Sequence, residues 1–221
     1  MAVIGTKTVR EIVTAALRKA GWLGIADTAD AENADYAMSE MNYMLKGWQT
    51  MGYNLWTKTS GSLTLTTATS YTLSPVRPLK ILSARYKNTD GTETGMLELM
   101  RDEYDNLPDK TTTGTPTQFY YDKQREAAVL YVWPALSSAT TESIEYTYER
   151  ELEDIAAMGD TVDVPGEWWD AVIYGLAVRL SESTPTIPVA PSLQQTAMQL
   201  LHRAQAGDQE VSVYFAGPWG R

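Results

Sequence analysis

The chain has 221 residues, 43% hydrophobic and 21% charged, with no cysteine, one histidine and a formal net charge of −10. That is length and apolar content enough for one large core or two small ones, but it excludes disulfides, thiolate metal sites and cysteine nucleophiles, and any histidine-dependent catalysis must use His202. An acidic total also argues against sequence-independent DNA binding, which runs on neutralisation of phosphates by Lys and Arg.

The first thirteen residues hold no apolar run of signal-peptide type. Thr8 and Glu11 then stand at capping-box spacing. Val9, Ile12, Val13, Ala16, Leu17 and Ala20 follow on one helical face, and Gly21 suits a helix end. A second helix is predicted over 30–51, with Ala34, Ala37, Met38, Met41, Leu45 and Trp48 as its apolar set. A methionine stripe of this kind is either core filler or an adaptable partner surface, and core is the commoner use.

From 62 to 150 the chain is rich in Thr and Tyr with period-two alternation, the mark of strands. Leu63/Leu65 and Tyr71/Leu73 flank 66–70 as a hairpin. Further strands are expected over 81–87, 96–100, 118–121, 129–133 and 144–148, and a helical turn over 101–107. Pro75, Pro78, Pro108, Pro116 and Pro134 fall between these elements as punctuation. This many short strands imply an all-β unit, a sandwich or open barrel. Helix returns after Pro165, which sits near a first turn where its missing N–H costs nothing. Trp168, Trp169, Val172, Ile173, Leu176, Ala177 and Leu180 form its wide apolar face. The most apolar stretch, 171–180, is broken by Arg179 and too short to cross a bilayer, so no membrane partner is expected. A Pro-rich connector spans 183–191. A last helix, 192–206, carries Leu193, Ala197, Leu200, Leu201 and Ala204 on one side and includes His202, which reads as a helix-surface residue.

The expected fold is therefore α+β: a four-helix bundle made of two N-terminal and two C-terminal helices, with a β-sandwich or open-barrel unit inserted and an extended C-terminal arm. The boundaries fall at 1–57, 58–150, 151–207 and 208–221.

Two segments stand out as candidate interaction sites. Between 142 and 170 there are ten acids and one base, a local charge of −9 that leaves the rest of the chain at −1, while the first twenty residues carry +3. Glu151, Glu153, Asp154, Asp160 and Asp163 are the candidate acidic face. It reads either as a solvated surface or as a lining that repels phosphate or meets a neighbouring subunit's basic first helix. The tail alternates Val211, Val213 and Phe215 with Ser212 and Tyr214, then reaches Trp219. Burying such side chains contributes about 1.5–3 kcal/mol each before ordering costs. Val211, Val213, Tyr214, Phe215 and Trp219 serve either as a staple on the chain's own β unit or as an arm that docks on a partner.

No Gly-rich phosphate loop, nucleophile elbow or metal-ligand spacing is present, and the adjacent carboxylates Asp102 and Glu103 have no visible partner. Neither an enzyme nor a cofactor is expected.

The segment 101–136 places Glu103-Tyr104, Lys110, Gly114-Thr115-Pro116, Phe119-Tyr120-Tyr121-Asp122 and Val132-Trp133-Pro134 in order. This set resembles the head-to-tail adaptor (head completion, tail accessory factor) proteins of podovirus-type tailed bacteriophages. The residues 8–21, 41–48 with Leu55-Trp56, and Leu152 to Ile155 with Asp163 to Pro165, Glu167-Trp168 and 171–180 are similar to the helices of those proteins. The resemblance implies a non-enzymatic virion protein, assembled in the host cytoplasm. It would form a homo-oligomeric ring of about twelve copies beneath the portal protein. Such a ring extends a channel through which DNA passes without specific binding, and offers tail or nozzle proteins their attachment site. It makes 208–221 the arm that reaches the portal. The alternatives are a carbohydrate-binding protein, since seven Trp and thirteen Tyr could stack on sugar rings, or another minor virion or tail structural protein.

Overall fold

The structure is a computed structural model that describes residues 6–51, 55–73, 77–138, 141–183 and 190–208. It is mixed α+β, with five α-helices and two four-stranded sheets among the described residues. The chain divides into two compact units. One is drawn from the chain up to Trp56 and from Leu152 onward, and the other is Thr57–Glu151.

In the helical unit, α1 (Val9–Lys19) starts at the capping box read from the sequence. The Thr8 hydroxyl accepts from the Glu11 N–H at 3.4 Å, and the Glu11 carboxylate accepts from the Thr8 N–H at 2.8 Å. Those two bonds satisfy helix-end donors that would otherwise be orphaned. Gly21 ends the helix at φ +82°, a conformation that favours glycine. α2 (Ala31–Gln49) is capped by Asp30, which accepts from the Asn33 N–H at 2.7 Å. α4 (Trp169–Glu182) packs on α1, on α2 and on α5 (Pro191–Gly207), so it is the central helix of the unit. The core is the predicted face of α1, with Ala37, Met41, Met44 and Leu45 of α2 and Val172, Ile173, Leu176, Ala177 and Leu180 of α4. Met41 and Met44 are fully buried and Met38 packs against them, so the methionine stripe fills the core. Gly175 lets α4 approach α2, since a Cβ there would lie 3.0 Å from both Met44 Sδ and the Trp48 ring.

The β unit contains β1 (Lys58–Thr64), β2 (Ser70–Leu73), β3 (Lys80–Lys87), β4 (Glu93–Gly95), β5 (Leu97–Leu99), β6 (Gln118–Asp122), β7 (Ala128–Trp133) and β8 (Ser143–Glu149), with the short helix α3 (Arg101–Asp105) after β5. The sheets are ordered β1-β8-β3-β4 and β2-β7-β6-β5, and neither closes into a barrel. Both contribute to one core: Ile81, Ala84, Tyr86, Ile144 and Tyr148 from the first, and Leu73, Phe119, Ala128, Leu130 and Val132 from the second.

The expected hairpin across 66–70 is not formed. β1 pairs with β8 and β2 with β7, in different sheets. The connection Thr66-Thr67-Ala68-Thr69 has no Gly or Asn able to take the positive φ of a tight hairpin turn. Tyr71 stands in for the missing partner, its hydroxyl accepting from the Thr66 N–H and donating to the Thr66 carbonyl, each at 2.9 Å. The strand expected over 96–100 is also divided. Met96 is where the chain leaves β3's sheet for β6's, and Met100 caps α3. A true hairpin, β3–β4, turns at Asp90-Gly91 with Gly91 at φ +87°, and that dipeptide was its sequence signal. β1 extends back to Lys58 through Gly61, over which the Tyr146 ring lies so closely that a Cβ would be 2.6 Å from it.

Two phenols in this unit set an alkaline limit. Tyr86 is pushed up to about 12, first by burial and then by its hydrogen bond to Glu142. Tyr121, which donates to the Pro78 carbonyl, is pushed up to about 12, chiefly by burial. An unfolded tyrosine loses its proton near about 10. The folded state therefore holds these protons more tightly, a stabilisation fully present below that pH and lost as pH rises from there through about 12. Melting temperature is expected to fall across that window together with a rise in phenolate absorbance. The fall should shrink in Tyr86→Phe and Tyr121→Phe, and an equal fall in both variants would refute the assignment.

Candidate functional site

The motif residues of 100–136 join into one network in the β unit. After β5 the chain makes a long crossover to β6, which lies parallel to it. The crossover opens on α3, where the Glu103 carboxylate accepts from the Met100 N–H at 2.8 Å. α3 directs Tyr104 inward onto the sheet. Tyr104 is 8% exposed, stacks on Tyr120 at a centroid distance of 5.4 Å and meets Tyr131 at a tilt of 45° and 5.0 Å, while Tyr120 and Tyr131 stack on each other at 5.7 Å. Two cations close the cluster. Arg101 donates to the Tyr120 hydroxyl at 3.0 Å and to Asp122 at 3.2 Å, which holds its proton more firmly than usual, mainly through the Tyr120 bond. Lys110 donates to the Asp105 carbonyl at 2.9 Å and lies 5.5 Å over the Tyr104 ring.

The far half of the crossover is tied just as firmly. Asp109 accepts from the Thr111 hydroxyl and N–H at 2.6 and 2.8 Å, hydrogen bonds that hold its carboxyl below the usual range. Its carbonyl accepts from Trp133 Nε1 at 2.9 Å. The Gly114 N–H donates to the Ala135 carbonyl at 2.8 Å, and a Cβ on Gly114 would pack 3.6 Å from Pro134. Pro116 is buried, and the Trp133–Pro134 peptide is cis. The Gly-x-Pro, the aromatic cluster and the Trp-Pro thus all pin one crossover to one sheet. Tyr120 stacks on both Tyr104 and Tyr131, which leaves less of its ring to present to a sugar.

The acidic candidates divide between the units. Glu151, in the β unit, forms an ion pair with Arg77. The other four belong to the helical unit, on the loop that returns the chain to α4. Asp160 accepts from the Ala156 and Ala157 N–H groups at 3.1 and 2.8 Å, and Asp163 from the Glu153 N–H at 3.2 Å, so both carboxylates shape the loop. Asp154 lies 2.9 Å from Lys46 with its side chain 79% exposed, and Glu153, Glu167 and Asp170 are exposed. This loop rests on the chain's own first helix. Asp160 and Met158 offer carbonyls to the Val9 and Arg10 N–H groups at 2.9 and 3.0 Å. Of the basic residues on α1, Arg10 and Arg18 are exposed, and Lys19 donates to the Tyr174 hydroxyl at 2.9 Å.

Sequence reasoning did not single out the polar stripe of α2 that holds this loop. Asn42 donates to the Ile155 carbonyl at 2.9 Å and accepts from its N–H at 3.0 Å. Lys46, one turn on, donates to the Leu152 carbonyl at 2.6 Å. Leu152 and Ile155 can then be buried in the helical core. The spacing i, i+4 on a helix was the available signal.

A groove of about 280 Å³ runs between α2, α4 and α5, lined by Met44, Trp48, Gly175, Val178, Met198 and Leu201, with Arg179, Glu182 and Gln194 at its polar edge. The arm residues Val211, Val213, Tyr214, Phe215 and Trp219 lie outside the described residues. His202 is exposed on α5. Among the described residues no group of three or more His, Cys, Asp or Glu could hold a metal ion, and no helix is long and apolar enough to cross a membrane.

No family model and no curated protein matches the chain. Among solved structures it is similar to a chain of the virion of a native gene transfer agent particle, at 14% identity and TM-score 0.34, covering 98% of this chain and 95% of that one. It is also similar to a chain from the neck of an empty gene transfer agent particle computed with C6 symmetry, at 14% identity and TM-score 0.29, covering 99% and 97%. Scores this low do not establish a shared fold.

Proposed function

We propose that this chain is a head-to-tail adaptor of a tailed-phage type virion. It assembles as a ring of about twelve copies beneath a portal protein, extends the DNA channel and presents the surface on which tail or nozzle proteins dock. The observation that supports this reading is the ordered motif set from Glu103 to Pro134, whose members converge on a single crossover held by the Tyr104–Tyr120–Tyr131 cluster.

In this reading the four long helices form a bundle that lines the channel, and the β unit is an insertion between α2 and α4. The exposed carboxylates Glu153, Asp154, Glu167 and Asp170 keep phosphate from adhering as DNA passes, and 208–221 is the arm that docks on the portal. The protein is non-enzymatic and works in the virion after assembly in the host cytoplasm.

Co-sedimentation with cognate portal rings tests the proposal, comparing the full chain with one ending at Gly207. Saturable binding of about one copy per portal subunit, lost on truncation, is the expected result, since an arm repeated around a ring gains from effective concentration. Binding by both chains would retain the adaptor and deny the arm its role. Binding by neither would favour a carbohydrate-binding or other minor virion role.

A further inference from the structure

α5 buries little of its own apolar surface. Of its residues only Ala197 and Ala204 are buried, Leu193, Leu200 and Leu201 are half-buried, and Met198 is 65% exposed. Met198, Ala197 and Leu201 form one wall of the groove whose other walls are Met44 and Trp48 of α2 and Val178 of α4. Gly175 lies among these residues and adds no side chain of its own. At about 280 Å³ it falls at the small end of ligand sites and has no set of convergent polar groups within it. Its polar lining side chains are Arg179, Glu182 and Gln194, of which Arg179 also lies 3.4 Å from Glu40, and an extended peptide in the groove would bring N–H and C=O groups that need such partners.

We infer that this groove holds the chain's own residues 211–215, laid back along α5. Three observations meet here. The segment that follows α5 directly, 208–221, carries Val211, Val213 and Phe215 on one period-two face. That face repeats every ~6.6 Å along an extended chain, close to the ~5.4 Å turn of the helix whose Leu201, Ala197/Met198 and Gln194 line the groove. The reach is also sufficient. Met198 lies ten positions before Asp208, about 15 Å along the helix, whereas Phe215 lies seven beyond it, about 23 Å extended, which leaves slack for the reversal. The consequence is an autoinhibitory contact. An arm rich in Val, Tyr, Phe and Trp is kept off other surfaces until a partner with a better site draws it out. This holds whatever that partner is.

The absence of cysteine allows a clean test. Met198→Cys, at an exposed position that does not threaten folding, is combined with Phe215→Cys in the full chain and oxidised at low protein concentration. The control pair is Phe215→Cys with Ile25→Cys, a site 91% exposed and outside the groove. The expected result is a disulfide within the monomer that forms at least about tenfold faster for the Met198 pair than for the control, as a local effective concentration requires. Equal rates for the two pairs would overturn the inference by showing an arm with no preferred site. So would a disulfide formed only between chains, which would assign the groove to a neighbour's arm.

Discussion

Replacing Tyr104 with alanine is expected to destabilise the β unit by about 3–5 kcal/mol, the usual cost of removing a large buried aromatic. Tyr120 loses a stacked partner at 5.4 Å and Tyr131 a tilted one at 5.0 Å, and Lys110 loses the ring beneath it. For a unit of this size such a loss lowers the unfolding temperature by roughly 15 °C or more. Protease cleavage within 105–117 should appear before the rest of the unit is cut, because this side chain is the buried group by which α3 packs on the sheet. Tyr104→Phe keeps the ring and should stay close to the parent. A cost below about 1 kcal/mol for the alanine variant would mean that the Asp109, Gly114 and Trp133 hydrogen bonds hold the crossover unaided.

Trp168 supplies the second large effect. It precedes α4, is 2% exposed, and packs at centroid distances of 5.9 Å from Trp48 and 5.1 Å from Trp56. Trp168→Ala should cost about 3–5 kcal/mol in the helical unit. Trp168→Phe should cost less than half as much, for a reason specific to this site: the buried Nε1 makes no hydrogen bond to the described residues, so its removal strands no acceptor. Trp56 is the contrast. Its Nε1 donates to the Asp163 carbonyl at 3.1 Å, and Trp56→Phe leaves that carbonyl without the bond. Chemical denaturation of the three variants checks the order. If Trp168→Phe proved as costly as Trp168→Ala, the Nε1 group rather than ring volume would carry Trp168's contribution, against the absence of a hydrogen bond to it among the described residues.

Loss of the crossover would also test the functional reading. An adaptor whose motif residues serve only folding should lose portal binding in proportion to the unfolded fraction. One whose exposed Leu97 and Met100 meet a partner would lose binding when only these are changed.

The features of this protein that can be read from neighbouring residues are local. The capping residues Thr8 and Asp30, the apolar periods of α1, α2 and α4, and Pro165 at the start of the last helical pair could be read residue by residue, because a helix is specified by neighbours three and four positions away. Strand identity was legible for the same reason at period two. Strand pairing was not. β1 and β2, adjacent in sequence, belong to different sheets, and β1 finds its partner in β8, some eighty residues on. Alternation says which side chains face a core and nothing about which strand completes the ladder, a choice made by the packing of the whole unit. The candidate sites divide in the same way. The acidic segment was plain from composition. The folded arrangement is what turns the Asp160 and Asp163 carboxylates onto loop amides, brings Asp154 to Lys46 and sets Asn42 against Ile155. A carboxylate's use depends on which donor comes within about 3 Å, and Asp154 finds its donor in Lys46 of α2, more than a hundred positions away in the chain, as the loop carbonyls of Leu152 and Ile155 find theirs in Lys46 and Asn42.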